Sequence, residues 1–118
     1  GSEMCIRDRF MDIMQEMSTL RVMLDRAVTE AKERGRVLAK CEHDYRVAKA
    51  KYILQQRTEG TPVTILADLA KGEENIARLC MERDIAQTLY DSSKEAINSY
   101  KLQIRIVQEQ IQREWNQA

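Results

Sequence analysis

The sequence predicts an all-α fold: a long antiparallel helical hairpin with a short helix at its tip, oligomerising into a helical bundle. Three observations carry that expectation. The 118 residues are 32% charged and only 5% aromatic, with one proline, and Ala, Glu, Lys, Leu, Arg, Ile and Gln dominate, the composition of long helices. Apolar residues recur in steps of three and four over most of the chain. Between the two periodic stretches lie the glycine and proline signals that end helices.

The first ten residues, GSEMCIRDRF, are expected to be foreign. Gly1-Ser2 has the form of a scar left by removal of an affinity tag, which carries no fold information. Glu3 to Arg9 fits the DNA GAG ATG TGT ATA AGA GAC AG, which resembles a transposon end used as a sequencing adapter. An open reading frame extended through adapter on a metagenomic contig would produce it. The natural protein is then expected to start at Met11, with residues 1–10 an extension and residues 11–118 a single helical domain. Cys5, Arg7 and Asp8 would carry no function.

The first helix is expected over residues 11–58. One row of its seam holds Phe10, Met17, Leu24, Ala31, Leu38, Tyr45 and Tyr52, and the other Ile13, Leu20, Ala27, Arg34, Cys41, Ala48 and Gln55. This is a heptad pattern sustained for about six repeats, so it predicts one rod. Gly35 interrupts it at a cost of about 1 kcal/mol relative to Ala, which predicts a bend at most and no break. The rod stops at Arg57-Thr58-Glu59-Gly60-Thr61-Pro62.

The tip, residues 59–72, contains VTILADLAKG. Thr61 is expected to cap a short helix with Pro62 in its first position, or Thr64 to cap a later start. Gly72 is expected to close it. Glu73, Glu74 and Asn75 then supply an acidic first turn, which favours a helix N-terminus. The last helix is expected over residues 73–116, with Ile76, Arg83, Tyr90, Ile97, Ile104 and Ile111 on one row and Leu79, Ala86, Ser93, Tyr100 and Val107 on the next. Two rods joined by a short tip must lie antiparallel. Met14, Val28, Val37, Val47 and Leu54, with Ile85, Leu89, Leu102 and Ile106, widen each stripe beyond what one partner helix covers. Apolar surface of that extent predicts an interface, most simply a homodimer completing a four-helix bundle.

Several function classes are disfavoured. The 19 basic and 19 acidic residues cancel, so no global field draws the chain to nucleic acid or membrane. No apolar run approaches the roughly 20 residues of a membrane span. Cys41 and Cys80 have no CxxC or Cys/His spacing and are expected to be reduced, partly buried thiols. His43, the one histidine, has neither metal-ligand nor nucleophile spacing around it, and a solvated or structural role is expected. No glycine-rich phosphate loop exists, because Gly60 and Gly72 read as helix stops. An enzyme is not expected, nor a cofactor or metal.

The departures from the heptad mark the candidate site. Arg83 lies on the seam, and antiparallel pairing is expected to bring it near Lys49. Tyr45 and Tyr52 flank Lys49, Tyr90 lies two turns beyond Arg83, and Arg57, Thr61 and Thr64 approach from the tip. Two like charges beside a seam need an anion between them. Asp44, Glu82 or Asp84 could supply it internally, giving a salt bridge without a ligand. The functional alternative is a nucleotide: Arg83, Lys49 and Arg57 would neutralise phosphate, Tyr45, Tyr52 and Tyr90 would stack or donate hydroxyls, and Thr61 with Thr64 would stand at a helix N-terminus. Arg46 and Lys51 are second choices. Oligomer symmetry would multiply this patch and place it between protomers.

Two stretches, DYRVAKAKYILQQRTEGTPVTILADLAKG and ERDIAQTLYDSSKEAINSYKLQIRIVQEQIQREW, cover more than half of the chain and resemble small helical proteins encoded by phages of Gram-positive bacteria. The resemblance implies the cytoplasm of an infected bacterial host. In that context the chain is similar to the small oligomeric sponge proteins by which phages defeat CBASS and Thoeris immunity, trapping cyclic-nucleotide or ADP-ribose-type signals without cleaving them. It implies a homo-oligomer whose partner is a nucleotide signal. Two alternatives stand beside it: an accessory to phage DNA replication or recombination, which the neutral charge disfavours because phosphate neutralisation supplies most non-specific affinity, and a coiled-coil adaptor that binds only protein.

Overall fold

A computed structural model describes residues 5–117, whose regular structure is helical throughout. Helix α1 spans Ile6–Thr58, α2 Val63–Gly72 and α3 Glu74–Gln117. The expected extension joins α1 from Ile6, and the Arg9 amide donates to the Cys5 carbonyl at 3.1 Å. The tag scar and the start of the extension, residues 1–4, lie outside the described residues, as does residue 118. Among the described residues no helix is long and apolar enough to cross a membrane.

The chain packs as two units, one from the residues up to Ala31 with those from Ser92 onward, the other from Lys32–Asp91. In the first, Ile13, Met17 and Leu20 of α1 form a buried cluster with Val107 of α3, and Tyr100, Ile104 and Ile111 pack against it. Phe10 of α1 meets Trp115 near the end of α3, ring centroids 6.2 Å apart. In the second, Leu66 and Ala70 of α2 and Ile76 and Ala86 of α3 are buried, while Leu38, Tyr45, Ala48 and Tyr52 of α1 are half-buried. There Gly35 lies against Tyr90 and Glu42 against Arg83. Advancing along α1 therefore means retreating along α3, so the two segments run antiparallel.

The heptad rows correspond closely to what is covered. Every α3 seam residue, from Ile76 and Leu79 through Arg83 and Tyr90 to Val107 and Ile111, is buried or half-buried. On α1 the exception is Gln55, which is exposed and donates to Glu59 at 3.4 Å. Of the residues expected to lie outside the seam, Met14, Val37, Val47, Leu54, Ile85, Leu89, Leu102 and Ile106 are exposed, and Val28 is half-buried. Gly35 does not break α1, whose helix runs through it.

The tip differs from expectation in its caps. Gly60 takes a left-handed φ of 87°, its amide donates to Arg57 at 3.1 Å and the Thr61 amide donates to Gln56 at 3.0 Å. These are the paired bonds of a Schellman stop, which need a residue without a Cβ penalty. Thr61 is not a cap: its hydroxyl bonds the Gln56 side chain at 2.8 Å. Nor does Thr64 cap, since α2 starts at Val63, and Pro62 stands at the N-cap without a side-chain bond. Gly72 ends α2 without positive φ, and the stop is Glu73, whose ψ of 130° takes the backbone out of the helix. Glu73 also begins α3, its carboxylate accepting the Ile76 amide at 2.7 Å. One residue thus closes α2 and caps α3.

The two glycines should separate by mutation. Gly60→Ala forces a Cβ into the left-handed region and should destabilise by about 1–2 kcal/mol, whereas Gly72→Ala should be neutral or stabilising by up to about 1 kcal/mol. Urea unfolding of the two variants measures both, and equal effects would refute this account of the tip.

Candidate functional site

Tyr45, Lys49 and Tyr52 recur at helical spacing on α1, which puts them on one face. Arg83 occupies a seam position on α3, so packing of the two helices carries its guanidinium to that face. The Arg83 Cζ lies 4.7 Å from the Tyr45 ring centroid, and the Lys49 Nζ lies 5.8 Å from the same ring. Both distances are within cation–π range. One half-buried ring therefore holds two cations that are far apart in sequence.

Arg83 is anchored by carboxylates from both helices. Its Nε and Nη2 donate to Asp84 Oδ1 at 3.2 and 3.0 Å, and its Nη1 approaches Glu42 Oε2 at 3.5 Å. The Nη2 also lies 3.6 Å from the Cys80 Sγ. Glu42 is shared, its other oxygen accepting from Arg46 Nε at 2.7 Å. That hydrogen bond, with the charges of Arg46 and Arg83, holds the Glu42 carboxyl below its ordinary range against the opposing effect of burial. The bond to Asp84 is the main cause that raises the Arg83 pKa. Three cations, Arg46, Lys49 and Arg83, thus meet two carboxylates, and Lys49 forms no ion pair among the described residues.

An open groove of about 680 Å³ runs beside Tyr45. Its floor is an apolar face of α3 that includes Ala77, Met81, Ile85 and Leu89, and its charged lining is Lys71 and Asp84. A second, more polar groove of about 390 Å³ is lined by His43, Asp44, Lys51, Tyr52 and Glu73 among others.

No protein-family model, curated protein or solved structure matches the chain.

Of the residues expected at the site, the structure gathers Tyr45, Lys49 and Arg83. Arg83 faces Glu42 and Tyr45 instead of packing directly on Lys49, because the register is set by how α2 returns the chain. Tyr52 lines the polar groove with Lys51. Tyr90 packs against Gly35, where an added Cβ would sit 3.3 Å from its Cε1. Arg57 lies exposed in the last turn of α1, Thr64 is exposed on α2, and Thr61 is tied to Gln56. Among the described residues, Tyr52, Arg57, Thr61 and Thr64 form no hydrogen bond, ion pair or cation–π contact with Tyr45, Lys49 or Arg83. Of the three anions expected, Asp84 serves Arg83, whereas Asp44 meets His43 at 3.1 Å and Glu82 meets Arg78 at 2.8 Å. Glu42 was missed; its spacing four residues before Arg46 is the signal that marks it. Cys41 and Cys80 are free and half-buried.

Because the folded-state pKa of Glu42 lies below its ordinary 4.5, its contribution is complete above that value and is lost as pH falls through the lowered one. Glu42→Gln should flatten that part of the stability–pH curve, measured by thermal melts from neutral to acid; superimposable curves would sink the assignment. Gly35→Ala should gain about 1 kcal/mol of helix propensity in a Tyr90→Ala background and less in the native one, where the ring must give way. Urea melts of the double-mutant cycle test this, and equal gains would show no coupling.

Proposed function

We propose that this protein is a non-catalytic, self-associating binder that sequesters a nucleotide-type signal, with the phosphate received where Arg83 and Lys49 share the Tyr45 ring. The observation that carries the reading is this pair of cations against one tyrosine ring, with one positive charge in excess of the two carboxylates that they and Arg46 meet. Arginine and lysine neutralise phosphate, and a tyrosine ring offers a base a stacking surface. In the phage context that the sequence resembles, the ligand class is a cyclic dinucleotide or an ADP-ribose derivative, and its capture would blunt antiviral signalling in the host cytoplasm.

A protein-only adaptor is the second reading. It is favoured by the engagement of Arg83 with Asp84 and Glu42, which satisfies the guanidinium without any ligand. A DNA-replication accessory draws no support from a chain with formal net charge zero.

Purified protein incubated with cyclic dinucleotides and with ADP-ribose derivatives should show a rise in Tm with one class, and heating should release that ligand intact. A ligand at a hundred times its Kd stabilises the folded state by about 2.7 kcal/mol. Lys49→Ala and Tyr45→Leu should each weaken retention at least tenfold while the helix content stays unchanged. No shift with either class, or full retention by both variants, would overturn the reading.

A further inference from the structure

With the ligand's phosphate received at Arg83 and Lys49, the reading on which this rests, we infer that the site selects a pyrophosphate over a cyclic dinucleotide and that Asp84 is the internal anion the pyrophosphate displaces. In a pyrophosphate, the ADP-ribose class included, two charged phosphates are joined through one oxygen. In a cyclic dinucleotide the two phosphates stand on opposite sides of the ring.

Positive charge at the site is concentrated, not spread. Arg83 Cζ and Lys49 Nζ lie 4.7 and 5.8 Å from the same Tyr45 centroid, so adjoining phosphates can meet both cations at once. Lys49 has no ion pair among the described residues. Glu42 is already held by Arg46 at 2.7 Å and stands 3.5 Å from Arg83. With Asp84 on Arg83, three cations face two carboxylates and one positive charge is left over. Once Asp84 turns away, two are left over. The pyrophosphate of ADP-ribose carries two negative charges on neighbouring phosphates and matches them. One phosphodiester of a cyclic dinucleotide carries a single charge, so it would only exchange with the Asp84 carboxylate, and Coulomb attraction grows with the charge delivered.

Asp84 is built to be displaced. Its Oδ1 accepts from both Arg83 Nε and Nη2, at 3.2 and 3.0 Å, which is one edge of the guanidinium fork and the kind of edge that phosphate oxygens take in pairs. Its side chain is 64% exposed, so leaving strands no buried charge. While it stays, it holds off ligands too weakly charged to replace it, a repulsive element of the kind that sets specificity. The second phosphate of a cyclic dinucleotide would need a separate cation. Lys71 lines the groove beside Tyr45, but the other charged residue lining that groove is Asp84, so a phosphate there meets one charge of each sign.

Isothermal titration of the full chain with ADP-ribose and with cyclic di-AMP, which share adenine and differ in the placing of their phosphates, reads the selectivity. ADP-ribose should bind about tenfold more tightly or better, and Asp84→Asn should tighten it further by about threefold, as removal of a competing charge requires. Lys71→Ala should leave ADP-ribose affinity unchanged. Cyclic di-AMP binding as tightly as ADP-ribose, an Asp84→Asn variant with unchanged or weaker ADP-ribose affinity, or a loss of that affinity in Lys71→Ala would each overturn pyrophosphate selection. Sequestration fails by a different result: it falls, and this selectivity with it, when neither nucleotide binds, whereas tight cyclic di-AMP binding that is lost in Lys49→Ala overturns the selectivity alone.

Discussion

Burial of a narrow heptad seam is the constraint on which everything else in this protein rests. With 32% of its residues charged, neither long helix has an apolar face broad enough to stand alone, and helices in water owe most of their stability to tertiary packing. The seam supplies that packing one or two side chains per turn. Where it is filled by Ile13, Met17, Leu20 and Val107 a small buried cluster results. On α1 the buried residues end at Ala31. Beyond that point the second unit is held by half-buried side chains of α1, by α2 and by ion pairs. The contrast explains why the unusual chemistry gathers there: a seam with less apolar filling has room for a guanidinium, a tyrosine and a glycine notch.

Gly35 illustrates how a local weakness becomes a packing device. In an isolated helix it lowers stability through backbone entropy. Here the missing Cβ lets the Tyr90 ring lie against the α1 backbone, and the heptad continues through it without a break. Long-range packing on both sides outweighs the local preference for a bend.

The helices and their seam were legible in the sequence because period and composition are properties of each helix by itself. Exposed positions such as Ile85 and Leu54 were legible for the same reason. The tip was only half readable. Gly60 announced its stop, since positive φ at C′ calls for glycine, but Thr61 and Thr64 looked like caps and are not. The Thr61 hydroxyl donates to the Gln56 side chain and Pro62 takes the N-cap of α2, while a glutamate, Glu73, fills the capping role at α3 that shorter side chains usually fill. Register was the least readable feature. It depends on a single residue joining α2 to α3, and no heptad count reports that geometry. This is why no row of the heptad marks Glu42 as a partner of Arg83, and why Tyr52, one turn beyond Lys49, lines the polar groove with Lys51.

The internal ion pairs of Arg83 and a role for it in phosphate binding are not opposed on energetic grounds. The Asp84 side chain is 64% exposed, and an ion pair so open to water is worth only about 0–1 kcal/mol. A phosphate that offers two oxygens to the guanidinium fork would replace a weak contact with a stronger, charge-assisted pair. Glu42 stands farther from Arg83, at 3.5 Å, but it is half-buried and already held by Arg46. It would hold Arg83 against Tyr45 while Asp84 turned away into solvent. On this view Asp84 satisfies the guanidinium in the absence of ligand, and Glu42 fixes where it points. The cation is then already positioned on the ring when an anion arrives, so little ordering entropy would oppose binding.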